Sequence, residues 1–182
     1  MPQKKVIGTI SLAGCFGCHM SILDIDLNFL QLIELVEFNR SPLTDIKYFT
    51  KHCDLGIIEG GCCNDENVHA LIAFRKNCDV LISLGECAIM GGLPALRNEM
   101  KLRVCLEEAY LKVPTTIPGN QIIPHHPDLP KILNKIYPCH EIVKIDHYIP
   151  GCPPCSEIIW KSLLGLITGK KETLPYQCLK YD

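Results

Sequence analysis

Cysteine is the residue type whose number invites a chemical explanation, with twelve in a chain of 182 residues. Two of them make a C-x-x-C pair, Cys15-Phe16-Gly17-Cys18, directly after Gly14. Cys87 sits in Gly85-Glu86-Cys87-Ala88-Ile89-Met90-Gly91-Gly92, and Cys152 in Pro150-Gly151-Cys152-Pro153-Pro154, followed by Cys155. Thiolates bind soft metals, form disulfides and act as redox nucleophiles. A four-iron cluster needs four of them around a compact cube, and a C-x-x-C pair can supply two by bending around one edge. Glycine beside each candidate lets backbone approach closely, and the prolines after Cys152 stiffen its loop. Two other chemistries use the same residues. A strand followed by C-x-x-C and a helix is the layout of a thiol–disulfide oxidoreductase, with Cys15 and Cys18 as its dithiol. The pairs Cys15/Cys18 and Cys152/Cys155 also have the local spacing of a zinc-stabilised interaction domain, although their long separation is unlike a compact zinc ribbon.

The elements that must position these residues alternate. Strand-like runs are Val6–Leu12, Ile46–Phe49, Leu55–Glu59, Val80–Leu84 and Glu141–Ile149. Helix-like runs are Met20–Phe38, Glu66–Asn77, a stretch between Leu93 and Leu111, Leu129–Ile136 and Ser156–Ile167. The first helix has a polar stripe at Asp24, Asn28, Gln31 and Glu34, with Leu23, Leu27, Leu30 and Ile33 on its apolar side. Short, nearly all-apolar strands such as Val80–Leu84 suit a sheet covered on both faces. The expected fold is α/β, a doubly wound parallel sheet with helices on both faces, in one domain over residues 1–182. In such a sheet the strand ends meet along one edge, where ligands bind. Cys15 and Cys18, Cys62 and Cys63, Cys87, and Cys152 with Cys155 all follow predicted strands. Separations of more than sixty residues in sequence are therefore no bar to closeness in space.

Composition narrows the function classes. Hydrophobic residues make up 47% and charged residues 21%, with net charge −2 and a pI of about 6.4. That balance gives no electrostatic case for nucleic acid or an anionic membrane. No apolar run approaches the ~18 residues that span a bilayer. The first residues run straight into the first strand without a twin-arginine pair, so the expected location is cytoplasmic. A chain this long does not need a disulfide framework. Neither G-x-G-x-x-G nor a P-loop is present. Glu59 ends a buried strand at the cysteine edge, and Glu86 adjoins Cys87, so both are candidates for a structural or proton-linked role. His19 is expected as a partly exposed residue at a helix start, His125 and His126 as solvated, and Cys155 as helix packing. Cys53, Cys78, Cys105, Cys139 and Cys178 are expected as ordinary core or surface thiols.

In order and spacing, the motifs Gly14-Cys15-Phe16-Gly17-Cys18, Gly85-Glu86-Cys87 with Gly91-Gly92, and Pro150-Gly151-Cys152-Pro153-Pro154 resemble the small subunit of nickel–iron hydrogenases, over most of the chain. The likeness is to the short Hox-type subunit of NAD-reducing, bidirectional hydrogenases. It implies a flavodoxin-like domain holding one 4Fe–4S cluster through Cys15, Cys18, Cys87 and Cys152, without the C-terminal multi-cluster part of longer members. It further implies a nickel–iron large subunit and iron–sulfur and flavin diaphorase subunits as partners, which would carry the nickel–iron centre, FMN and further clusters. Complex I-like and membrane-bound hydrogenase subunits are the related alternatives. Complex I-like subunits have adjacent cysteines in the first loop, where this chain has C-x-x-C. Many family members carry an acidic residue where this chain has Gly14.

Overall fold

The computed structural model describes residues 4–170 apart from 116, 118 and 120. Five short strands form one parallel sheet: β1 (Lys5–Ser11), β2 (Val36–Phe38), β3 (Cys53–Glu59), β5 (Cys78–Leu84) and β7 (His147–Ile149), in the order β2-β1-β3-β5-β7. Counted along the chain, this is the 2-1-3-4-5 order of flavodoxin-like folds. A separate antiparallel pair, β4 (Cys62–Asn64) with β6 (Ile132–Tyr137), lies beyond β3 in the chain.

Alternation along the central strands divides the interior in two, because successive side chains point to opposite faces. Leu55 and Ile57 of β3 and Ile82 and Leu84 of β5 meet α1 (Gly17–Leu23), α2 (Leu27–Leu35) and α6 (Ser156–Thr168) through Ile22, Leu32, Ile158 and Leu163. Ile58 and Leu81 face the other way, onto Leu71 and Phe74 of α3 (Asp65–Asn77) and Ala88 of α4 (Glu86–Met90). The start of α3 is fixed locally: the Asn64 side chain accepts the Asn67 N–H at 2.8 Å, and Asp65 and Glu66 occupy the positive first turn.

Several sequence expectations change. The long helix expected over Met20–Phe38 breaks at Asp24–Asp26, where Asp26 has φ 59°, and its last three residues become β2. Pairing of Val36, Glu37 and Phe38 with β1 overrides their helical pattern. The strand expected at Ile46–Phe49 is irregular, since β2 fills the position beside β1. Phe49 instead packs edge-on against Phe74 at 4.8 Å, with the Arg40 guanidinium over both rings. The helix expected at Leu129–Ile136 is largely β6, drawn into strand by its antiparallel partner β4. Of Glu141–Ile149 only the end is strand, preceded by a 3-10 turn at Cys139–Glu141. The stretch between Leu93 and Leu111 resolves into a 3-10 turn, Leu93–Glu99, and α5 (Leu102–Tyr110). The apolar side of the first helix faces solvent: Leu23, Leu27, Leu30 and Ile33 are 40, 73, 59 and 39% exposed. Among the described residues no helix is long and apolar enough to cross a membrane.

Asp146 anchors the segment leading into β7. Its Oδ2 accepts from Arg75 Nη1 at 2.6 Å and from the Leu81 N–H at 2.8 Å, joining α3, β5 and β7. Burial pushes the Asp146 carboxyl up, but the Arg75 guanidinium and the Leu81 N–H outweigh it and hold it below the ordinary carboxylate value. A depressed carboxyl stabilises fully above its unfolded pKa, about 3.9, and less as pH falls through its folded one. Asp146→Ala is therefore expected to lower the urea-unfolding free energy by about 1–3 kcal/mol at neutral pH. Its difference from wild type should close below about pH 4.

Candidate metal centre

Backbone hydrogen bonds hold the cysteine-bearing loops in two pairs. After β1, the Leu12 N–H bonds to Glu59 O at 2.9 Å, and Ala13 and Gly61 exchange two N–H···O bonds of 2.9 Å, tying the first loop to the one after β3. After β5, the Gly85 N–H bonds to Ile149 O at 2.8 Å and the Glu86 N–H to Gly151 O at 3.1 Å, tying the Cys87 loop to the Cys152 loop. The two pairs meet at Gly85, which has φ +82° and where a Cβ would stand 2.3 Å from Cys18 Sγ. A Cβ at Gly92 would likewise stand 3.0 Å from Cys87 Sγ.

Cys15, Cys18, Cys87 and Cys152 thus line one cavity of about 110 Å³, together with Glu59 and Glu86. Cys15 and Cys152 are exposed at its mouth, whereas Cys18 and Cys87 are partly buried. Cys155 is exposed just before α6 and outside this lining, so it is neither helix packing nor in position to replace Cys87. Cys62 is buried against Cys139, and Cys63 bonds to Asn67 Oδ1 at 3.2 Å; neither reaches the cavity. Cys53 and Cys78 are buried register partners on β3 and β5, and Cys105 is partly buried on α5. Cys178 lies outside the described residues. His125 and His126 are exposed. A wider depression of about 480 Å³ beside Asn98–Arg103 contains none of the cysteines.

Beneath the first loop lies a polar cluster that includes His19, which is fully buried rather than partly exposed. Its Nε2 lies 3.0 Å from Thr9 Oγ1, which is 2.6 Å from Ser41 Oγ. Phe16 stacks on its ring at 4.7 Å. The His19 backbone N–H donates to Glu59 Oε2 at 2.7 Å, and Ser11 Oγ donates to Glu59 Oε1 at 2.6 Å. His19 Nδ1 is 2.9 Å from Glu59 Oε2, a close contact without the alignment of a hydrogen bond. Burial pushes the Glu59 carboxyl up, yet the contacts with His19 and Ser11 prevail and hold it below the ordinary carboxylate value. Glu59 therefore pins the backbone directly after Cys18. The sequence marks Glu59 through its place at a strand end but gives no sign of its hold on His19, forty residues earlier.

Charge shows what the cavity suits. Burial, then Glu59, then the other three cysteines push the Cys18 thiol well above the ordinary value. Burial, followed by Cys152 and Cys15, also pushes the Cys87 thiol up, with a backbone hydrogen bond from Leu93 opposing. Four thiolates so close repel one another unless a cationic core lies between them. A single zinc ion needs its sulfurs at about 2.3 Å, and among the described residues no three His, Cys, Asp or Glu side chains converge that tightly. A four-iron cube asks for less, since each thiolate binds a different iron. The Gly17 N–H, 3.4 Å from Cys15 Sγ, is a donor of the kind that steadies a ligand sulfur. The donor set and the space kept clear by Gly85 and Gly92 both fit such a cluster.

Comparison with known proteins gives the family and its relatives. Residues 15–166 match the family described as NADH ubiquinone oxidoreductase, 20 kDa subunit. The NAD-reducing hydrogenase HoxS subunit delta of Cupriavidus necator is 49% identical over 180 residues, covering 98% of this chain and 86% of that protein. An F420-non-reducing hydrogenase subunit of Methanothermobacter thermautotrophicus is 38% identical over 96% of this chain, which spans only 57% of that relative. A chain from the crystal structure of an NAD+-reducing [NiFe]-hydrogenase in the H2-reduced state superimposes with a TM-score of 0.95 at 48% identity, covering 99% of this chain and 100% of its own.

The unequal settings of the four thiols can be tested without metal. At about pH 8, near the ordinary thiol pKa, iodoacetamide should modify Cys15 and Cys152 at least about tenfold faster than Cys18 in the metal-free chain, as read by peptide mass spectrometry. Equal rates would contradict the burial and charge assigned to Cys18.

Proposed function

This chain belongs to the NADH ubiquinone oxidoreductase 20 kDa subunit family, in its branch of nickel–iron hydrogenase small subunits, and from that premise we propose how it serves an NAD-reducing hydrogenase. It binds one 4Fe–4S cluster through Cys15, Cys18, Cys87 and Cys152 and relays single electrons from a nickel–iron large subunit to iron–sulfur and flavin diaphorase subunits. Reduction of NAD by such an assembly belongs in the cytoplasm. The observation that carries the reading is the lining of one small cavity by four cysteines from loops after three parallel strands.

When bound, a 4Fe–4S cluster supplies a one-electron centre. The residues of this chain do the rest. Four thiolates would hold it, Glu59 fixes the backbone directly after Cys18 through the His19 N–H, and Phe16 and Pro153 line the cavity. Exposure of Cys15 and Cys152 leaves one edge open to a partner. Apolar side chains stand exposed on the elements that follow the loops of Cys18 and Cys87. Met20, Leu23, Leu27 and Leu30 stand exposed on α1 and α2, and Met90, Leu93 and Leu96 along α4 and the following turn. Exposed apolar groups in such number mark a surface that another protein covers, and we assign it to the large subunit. The described units form a single domain in this reading.

Anaerobically purified wild type should be brown and contain about four irons per chain. Cys87→Ser should lose that iron and hydrogen-driven NAD reduction while keeping its far-UV circular dichroism; wild-type iron and turnover in this variant would refute the ligand set. A colourless, active chain with a Cys15–Cys18 disulfide would support the dithiol reading instead. Leu27→Asp, at a site 73% exposed, should weaken assembly with the large subunit by about tenfold or more without lowering the melting temperature. Unchanged assembly would remove α2 from the interface.

A further inference from the structure

Strands β5 and β7 pair only over Ile82–Leu84 and His147–Ile149. Beyond the ladder, the loops carrying Cys87 and Cys152 are held side by side by the two backbone bonds from Gly85 and Glu86 and by a third that uses a side chain. The Gly151 N–H donates to Glu86 Oε1 at 3.0 Å. Residue 86 already turns into α4, whose carbonyls follow the helix, so the side chain supplies the acceptor that a continuing strand would have offered. The residues joined, Glu86 and Gly151, each stand immediately before a cavity cysteine. Glu86 lines the cavity and is only 7% exposed. Its Oε2 is buried without a hydrogen-bond partner among the described residues, so the fold retains this carboxyl despite a desolvation penalty.

We propose that Glu86 is a positioning residue: its bond to the Gly151 N–H fixes the separation of Cys87 and Cys152 and prepares that half of the site before metal arrives. The inference rests on the ligand set proposed above. Glu59 holds the Cys18 loop through the His19 N–H in the same manner, so each pair of loops is closed by one buried glutamate. Without the Glu86 bond, the Gly151 N–H would lose its partner and the Cys152 loop could drift from Cys87.

The test uses the full chain, with its cluster assembled anaerobically from iron and sulfide. Iron release to a ferrous chelator and the electron paramagnetic resonance spectrum of the reduced cluster are both followed. Glu86→Ala should release iron about tenfold faster or more, as expected for loss of a buried hydrogen bond, with shifted g values. Glu86→Gln keeps an acceptor oxygen and should stay within about twofold of wild type, a much smaller change than losing the bond. Glu86→Ser, too short to reach Gly151, should behave as the alanine variant and replaces it if alanine prevents folding. Asn98→Ala controls for general loosening: it removes two side-chain bonds to the Ile136 backbone, of 2.9 and 2.8 Å, and neither residue lines the cavity. It should lower the denaturation midpoint and leave iron release unchanged.

Wild-type release and spectrum in both Glu86→Ala and Glu86→Ser would overturn the proposal. Glutamine as damaging as alanine, or fast release from Asn98→Ala, would overturn it as well. A wild-type chain that takes up no iron would instead refute the ligand set and this inference with it. A wild type that holds iron normally, with Glu86→Ala and Glu86→Ser holding it equally well, refutes the role of Glu86 alone.

Discussion

The convergence of four cysteine sulfurs where three parallel strands end is the constraint that organises this structure. Parallel strands place all their following loops along one rim, so Cys15 and Cys18 after β1, Cys87 after β5 and Cys152 after β7 meet there despite their distance in sequence. Burial first, and then Glu59 and the neighbouring sulfurs, pushes the Cys18 thiol up, and burial followed by Cys152 and Cys15 pushes up Cys87. In the proposed reading an iron–sulfur core would sit among these sulfurs, and backbone hydrogen bonds already fasten the loops that carry them. Glycine at 85 and 92 keeps the centre clear, because a methyl group at these positions would crowd the Cys18 or Cys87 sulfur.

Much of this arrangement was legible in the sequence. The apolar runs ending at Glu59 and Leu84 gave β3 and β5, and the Asp65–Asn77 and Ser156–Thr168 helices lie close to their predicted limits. Glycine and proline around Cys15, Cys87 and Cys152 marked tight turns at strand ends, and those turns are the loops of the cavity. The misses have physical causes. Leu35 passes directly into β2 with no glycine or proline to signal the change, because pairing with β1 decides the conformation of Val36–Phe38. β6 is strand through contact with β4, nearly seventy residues earlier. His19 looked like a surface residue because its partners Thr9 and Glu59 belong to other elements. Periodicity found the apolar side of the first helix but not its direction. Ile22, Ile25 and Leu32 reach the sheet, while Leu27 and Leu30 remain outside.

That outward apolar face and the exposure of Cys15 and Cys152 suit the proposed cover by a partner subunit. A centre that passes electrons must lie near both donor and acceptor, and cysteines open to solvent at one edge serve that need better than a fully buried site. The protein's contribution to the reaction is then geometric and electrostatic. It sets where the electron rests, how firmly the sulfurs are held and which surface a partner meets.

Whether the four thiols share one iron-containing cluster is decided by anomalous diffraction at the iron absorption edge, from crystals of the anaerobically purified chain. One compact iron peak bonded to the sulfurs of Cys15, Cys18, Cys87 and Cys152 is expected. A Cys15–Cys18 disulfide, a peak at the zinc edge alone, or iron bound without Cys87 or Cys152 would contradict it.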